Sequence, residues 1–514
     1  MVYRACGVAE GMQHRWMMAW HRSAWVRRTL LSVFGVCVLG ITASVAEFPL
    51  VPPAKVGVQS ASCPRGAIAI EPGVSIQARV DLAAEGAVFC LKNGVHRMQA
   101  VRPRARQHFY GEGTTILNGS RLLTDFQREG RYWVVRSRPQ ASRKHGECLP
   151  SAPACDRPDA LFIDDQPLTR VLSKDALASN QFYVDYDNGR IYIVDDPTNR
   201  KVEATAALFA FESAAADVLI SNLTVEKYGN LAQKGAIHAR EGLRWIVENC
   251  EVRLSSGGGI GVGTGSQVKN CDIHHNGQIG INGHGKDIRI ENNHIWSNNI
   301  RGFDPDWEAG GAKIALSDGV AFRGNHVHDN GGPGLWCDIE CHNVVYENNL
   351  VENNQQMGIH HEISFNAVIR NNVLRNNGGG KRQWFWGADI DVAASQDVEV
   401  TGNKVSVAPG GCGIMLIDQG RRSEEGAIYK TRNNTVRANE MTFEGAPCAG
   451  GASDAKPGDE NFAIITNGNN RFDANTYRVR STSGPARFVW GQDVTDWDGF
   501  RRKGLEQNGQ LVFF

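Results

Sequence analysis

From Leu243 to Val405 the chain is written in short runs of alternating apolar and polar residues, each ending in a small polar turn. The runs are “LRWIVENCEV”, “GSQVKNCDI”, “KDIRIENNHI”, “GVAFRGNHV”, “HNVVYENNLV”, “NAVIRNNVL” and “QDVEVTGNKV”. Aligned, they place Cys250, Cys271, Asn293, Asn325, Asn349, Asn372 and Asn403 in one column, at spacings of 21, 22, 32, 24, 23 and 31 residues. A period of two predicts strands. A repeat near 22 residues, with no helical pattern and no leucine-rich spacing, predicts an all-β chain wound as a parallel β-helix whose stacked coils bury one continuous core. The polar column then has a structural reading, in which stacked asparagines bond to each other and to the backbone, and cysteine fills the same niche.

The repeats from about Asp217 to Asn434, with their “NN” turns and “GI” strand starts, resemble the right-handed parallel β-helix proteins of the pectin-lyase-like superfamily. The resemblance implies carbohydrate chemistry without choosing a reaction, because polysaccharide lyases, glycoside hydrolases and alginate-type C5-epimerases all use this fold. “GAVFCLKNGVHRMQAV” and “HFYGEGTTILNGS” resemble the opening coil of such proteins, which sets residues 47–120 as N-terminal cap and first coil. Residues 121–207 break the period with “RYWVVRS”, “QFYVDYDNGRIYIVDD” and “KVEATA”, including a hairpin at Asp187-Asn188-Gly189, and read as an inserted β-rich subdomain. The main stack is assigned to 208–490, and the aromatic segment 491–514 is a C-terminal cap that shields the last edge.

Residues 1–46 read as a signal peptide: Arg27-Arg28 precede an apolar stretch from Leu30 to Ile41, and Ser44-Val45-Ala46 offers a cleavage site. The stretch is shorter than the ~20 residues that span a bilayer, so the expected destination is periplasmic or secreted, with no stable membrane insertion. Of twelve cysteines, Cys6 and Cys37 fall in that leader. Export permits disulfides among the rest. Cys148–Cys155 is the favoured pair and Cys63–Cys90 is plausible, whereas four residues of strand hold Cys337 and Cys341 ~13 Å apart, too far to bridge. With 55 basic and 55 acidic side chains, the chain has no charge excess that would point to nucleic acid or a membrane surface.

The two long spacings mark insertions, Arg301 to Lys313 and Gly378 to Asp389, rich in Trp, Asp, Glu, Lys and Arg. Extra residues in a repeat fold project as loops, so the pair is read as walls of a cleft. Between them, strands begin at Gly280, Gly311, Gly334, Gly358 and Gly387. Alternation from those glycines sends two rows outward: Asn282, Lys313, Trp336, His360 and Asp389, then His284, Ala315, Asp338, Glu362 and Asp391, with Glu340 at the next outward position. Coils stack about 4.8 Å apart, so Asp338 and Glu362 become neighbours and Asp391 stands about 9.6 Å from Asp338. A single exposed carboxylate is usually only solvated. Like charges stacked directly are destabilising, which calls for a compensating role.

The candidate catalytic residues are therefore Asp338, Glu362, Asp391, Glu340, His360 and Lys313. Trp307, Trp336, Trp384, Trp386, Arg382, His284 and Asp389 are the candidate substrate contacts, the paired tryptophans as a sugar-stacking platform. His361 faces inward by alternation and is expected in the core. Three readings compete for a polysaccharide or oligosaccharide partner. A glycoside hydrolase would use two of the carboxylates and no cofactor. A lyase or C5-epimerase would take a proton beside a uronate with Lys313, His360, His284 or Arg382, the acidic row holding calcium. “FDPDW” at Phe303 to Trp307 is similar to the Asp-Pro-His-Asp motif of alginate epimerases but has aspartate in the histidine's place. A noncatalytic carbohydrate-binding protein is the third. An acidic face suits neutral sugars, which ranks the hydrolase first.

Overall fold

A computed structural model describes residues 57–58, 62–137, 139, 143–379, 384–480 and 486–514; the leader assigned to 1–46 and the candidate contact Arg382 lie outside them. The chain is a right-handed parallel β-helix. A 13-stranded sheet runs the length of the stack and a 25-stranded sheet forms its other walls.

The dipeptide at each corner explains why the chain turns there. Asn249, Asn270, Asn292, Asn348 and Asn371 all adopt left-handed φ between 52° and 56°, and glycine takes over at Gly324 and Gly402. Asparagine and glycine tolerate this conformation better than other residues. Each is followed by the column residue, whose side chain the turn directs inward. Asn325 Oδ1 accepts from the Asn293 backbone N–H at 3.0 Å and from Asn293 Nδ2 at 3.1 Å, while Asn325 Nδ2 donates to Ile290 O at 2.8 Å. The unit repeats through Asn349, Asn372 and Asn403. At the lower end Cys250 and Cys271 donate their thiols to Ile220 O and Val247 O, the kind of carbonyl that asparagine serves above. The column extends past the segment where the sequence repeat fades: Asn439 and Asn475 follow at 36-residue separations, and the Glu506 carboxylate ends it by accepting from Asn475 Nδ2 at 2.7 Å.

Inside the helix, Ile281, Ala312, Leu335, Ile359, Ile390 and Ile414 stack in register, all buried. Each fully buried large aliphatic contributes about 1.5–3 kcal/mol. His361 joins this interior, beside the Tyr346 hydroxyl at 3.3 Å. Three strands, Ile68–Ile70, Val88–Leu91 and His108–Gly111, stack before the insertion, and Leu219–Ser221 continues the stack directly on the last of them. The excursion between contains a four-stranded and a five-stranded sheet around Leu161, Phe182, Ile191 and Ile193, with the hairpin strands Gln181–Asp185 and Arg190–Ile193 paired antiparallel. The ends are covered by helix Ile76–Leu82 and by helix Trp497–Arg502 with strand Gln510–Phe513. Among the described residues no helix is long and apolar enough to cross a membrane.

Cys63–Cys90 and Cys148–Cys155 are bonded, and so is Cys412–Cys448, which joins neighbouring coils and had no sequence signal. Cys337 and Cys341 are buried free thiols.

Asn349→Ala would strip the Asn325 amides and Phe322 O of their buried partner. We expect a loss of roughly 3 kcal/mol or more in urea unfolding, since buried groups left unmet cost more than an average hydrogen bond contributes; a midpoint close to wild type would show the column to be dispensable.

Candidate functional site

The second asparagine column sets the register of the candidate strands. Asn276, Asn298, Asn330, Asn354 and Asn377 stack at the corner that precedes them. The strand-start glycines leave room for it and for the next strand: a Cβ at Gly334 would lie 2.6 Å from Gly358 O and 2.9 Å from Asn354 Nδ2, and at Gly358 2.7 Å from Asn377 Nδ2 and 2.8 Å from Asp389 O. One coil further the next asparagine is missing. Asp389 stands at the level of Gly358 and supplies the missing acceptor, its Oδ1 receiving Asn377 N–H at 3.1 Å and Asn377 Nδ2 at 2.7 Å.

This corrects the alignment drawn from Gly387. The true register is shifted by two residues, so Asp391 pairs with His360, not Glu362, and Glu362 pairs with Ala393. Asp389 is a ladder residue rather than a substrate contact. Burial pushes its carboxyl up to about 7. The outward row is Asn282, Lys313, Trp336, His360 and Asp391, with Asp338 and Glu362 beside it on consecutive coils.

The stacked carboxylates expected to repel one another are interleaved with cations. Lys313 Nζ lies 2.9 Å from Asp338, 3.5 Å from Glu308 and 3.8 Å from the centre of the Trp336 ring. His360 stands between Glu362 at 3.2 Å and Asp391 at 3.5 Å, and Arg421 Nη1 meets Glu362 at 3.0 Å. Gln233 Nε2 donates to Glu308 at 2.9 Å. Burial opposes the charge on Lys313, but Asp338 and Glu308 outweigh it and raise its pKa. Burial likewise opposes protonation of His360, yet hydrogen bonds to Asp391 and Glu362 carry it to about 9. Asp338 is raised by burial, with Lys313 opposing and Glu362 adding. On Glu362 burial is overcome by His360 and then Arg421, which hold it well below the ordinary carboxylate range.

The row is covered rather than open: Lys313, Trp336 and Asp338 are each 5% exposed, His360 3% and Glu362 6%. Glu308 comes from the short helix Pro305–Glu308 in the first insertion. Arg421 and Tyr429 come from the segment between Asp418 and Asn434, an insertion that sequence reasoning passed over although the 36-residue step from Asn403 to Asn439 marks it. Glu340 is not the next outward strand residue. The strand ends at Asp338; Ile339 and Glu340 are both left-handed, and exposed Glu340 accepts from the Tyr429 hydroxyl at 2.7 Å.

Apart from Trp336, the remaining candidates lie elsewhere. His284 receives a hydrogen bond from Arg240 Nε at 2.8 Å, and burial and then Arg240 lower its pKa. Trp307 is buried against Phe303 and His145. Trp336 is buried between Lys313 and His360. Trp384 is 38% exposed, next to Trp386, and lines a cavity of about 690 Å³ with Asp454, Lys456 and Phe462.

With this geometry, the fold is a right-handed parallel β-helix, and the family described as “Right handed beta helix region” matches residues 234–397. Among solved structures, XylC in complex with xylose is 13% identical, with a TM-score of 0.59 over 86% of this chain and 83% of that one. The A-module of the Azotobacter vinelandii mannuronan C-5 epimerase AlgE6 is 14% identical, with a TM-score of 0.46 over 86% of this chain and 96% of that one. No curated protein matches the sequence.

Two pH profiles follow. Asp389, with a folded-state pKa of about 7, loses stability as pH rises from about 4 through 7, and Asp389→Asn keeps the ladder acceptor while removing that loss. The variant should match wild type near about pH 3 and exceed it by roughly 2–4 kcal/mol near about pH 8; equal urea midpoints at both would refute the placement. His360 has the opposite sign: its contribution is full below ~6.5 and fades as pH rises through about 9. His360→Gln should flatten that decline, and an unchanged slope would remove His360 as its source.

Proposed function

We propose that the chain is an exported carbohydrate-active enzyme, a glycoside hydrolase in which Asp338 is the general acid and Glu362 the ionised carboxylate. The observation that carries this reading is the opposite tuning of the two: burial raises Asp338, whereas His360 and Arg421 hold Glu362 ionised one coil away. Two carboxyl groups pushed apart in pKa divide naturally into acid and base roles. A coil spacing of about 4.8 Å is close to the ~5–5.5 Å of retaining glycosidases, so Glu362 is assigned as nucleophile. Asp338 would protonate the leaving oxygen while Glu362 bonds to the anomeric carbon; Asp338 would then take a proton from the water that releases the sugar. His360, Arg421 and Lys313 position these carboxylates.

A donor without an acceptor supports binding at the row: Trp336 Nε1 is buried and has no hydrogen-bond partner among the described residues. Entry of a sugar requires Arg421 and Tyr429 to move aside. The similar fold that carries xylose is compatible with this use. The side chains of the row neutralise one another, so the reading requires no calcium. Disulfides and the leader-like N-terminus support a periplasmic or secreted location.

The second reading, a uronate lyase or C5-epimerase, is favoured by one observation, the concentration of Lys313, His360 and Arg421 at the row, where a uronate carboxylate could pair. A polysaccharide panel assayed for new reducing ends, for the ultraviolet absorbance of unsaturated uronates and for epimerised products separates the readings. For the hydrolase we expect reducing ends without the chromophore, indifferent to chelator, with kcat lowered roughly 10²–10⁴-fold in folded Asp338→Asn and Glu362→Gln. A chromophore or an epimerised uronate transfers the assignment to the second reading. Glycan binding without any product leaves a binding protein.

A further inference from the structure

We propose that His294, His326 and His328 form a binding site for one transition-metal ion of the zinc class on the 13-stranded sheet, away from the carboxylate row. Strands His294–Trp296 and His326–His328 are adjacent, with His294 beside His326 and Trp296 beside His328. Ile295 and Val327 fill the core, so all three imidazoles project from the same outer face. One ring nitrogen from each lies within 4.8 Å of the other two.

The hydrogen bonds around the rings point to a cation. Asp272 Oδ1 lies 3.1 Å from His294 Nδ1, and Asp329 Oδ2 lies 2.6 Å from His328 Nδ1. Asp272 is itself fixed by Trp296 Nε1 at 2.8 Å. A carboxylate at Nδ1 selects the tautomer that carries its proton there and leaves Nε2 with a lone pair. The two Nε2 atoms selected in this way face each other at 2.7 Å. Two lone pairs at that distance repel; an ion between them turns the repulsion into two bonds. Glu352 Oε1 lies 2.9 Å from His326 Nε2 and orients the third ring by the same means, leaving its Nδ1 as the donor. Carboxylate behind imidazole is the outer-shell arrangement that raises ligand basicity in metal centres.

The rings are also held in place. His294 stacks on His326 at 5.2 Å and on Trp296 at 5.5 Å, and Trp296 stacks on His328 at 5.8 Å. Their side chains are 17–23% exposed, leaving a solvent side for a fourth ligand. Neutral imidazoles favour Zn²⁺, Cu²⁺ or Ni²⁺ over Ca²⁺ and Mg²⁺. Zinc–nitrogen bonds of ~2.0–2.1 Å in a tetrahedron need nitrogens about 3.4 Å apart, which ring rotation supplies from the present spacing. An ion held by residues of two neighbouring strands would clasp one coil to the next.

Untagged chain stripped with chelator should bind one Zn²⁺ in titration calorimetry and melt at a higher temperature with added Zn²⁺. His294→Gln with His328→Gln should weaken binding at least tenfold, and Asp272→Asn about tenfold through the outer shell, whereas His108→Gln should not change it. No binding by wild type, or unchanged affinity in the double variant, overturns the site. Because the double variant could fail to fold, Co²⁺ spectra of the wild-type chain give a second test: d–d bands without thiolate charge transfer support histidine ligation, and a thiolate band assigns the ion to cysteine and overturns the proposal.

Discussion

A buried primary amide has two donors and an acceptor to satisfy, and inside this solenoid an identical amide one coil away supplies much of what it needs. That constraint fixes the structure. Asn293, Asn325 and Asn349 each bond to the next coil's amide and to a carbonyl of the preceding turn, so a coil that slipped by one residue would lose its partners together. In a strand such a slip would also exchange the inner and outer faces. The second column has the same consequence for the carboxylate row. Together with the next strand's carbonyls it crowds the space a Cβ would need at Gly334 and Gly358, and the strands that start at Gly311, Gly334 and Gly358 deliver Lys313, Trp336 and His360 to the same height on successive coils.

Removing so many charges from water is costly, and burial opposes Lys313, His360 and Glu362 alike. The arrangement persists because every charge in it faces an opposite one, and removing one partner would leave its neighbour buried and uncompensated. Such a network is weak as a source of stability compared with an apolar core, but strong as a device for holding side chains in one geometry. Arg421 matters for that reason. It belongs to the covering loop and not to the stack, and it adds to His360, the larger influence, in holding Glu362 below the ordinary carboxylate range.

The fold was legible because it is written in local chemistry. Alternation gives the strands, an Asn or Gly before each column residue gives the corner, and the column residues give the stacking partner. His361 could be assigned to the interior by parity alone. The site was legible only where the same rules continued without interruption. Lys313, Trp336, Asp338, His360 and Glu362 followed from counting, but Asp391 was placed beside the wrong neighbour because Gly387 imitates a strand start after an insertion, while the true marker is the aspartate that replaces the glycine. Arg421, Tyr429 and Glu308 reach the row from loops, and loop contacts have no period. Their only trace in the sequence is the length of the spacing, and the 36-residue step after Asn403 was the largest of them.

The same geometry makes two outer faces of one helix chemically different. On both, side chains at matching positions recur about every 4.8 Å, which brings like residues together whether they are carboxylates or imidazoles. What differs is the cover. The carboxylate row lies beneath residues from insertions, so its charges settle against one another, Asp338 against Lys313 and Glu362 against Arg421. The imidazoles of His294, His326 and His328 stay partly exposed; Asp272, Asp329 and Glu352 each hold one ring nitrogen, and one nitrogen from each ring lies within 4.8 Å of the other two. A regular stack thus supplies the array, and the placement of the irregular residues decides whether that array closes on itself or stays open to a ligand.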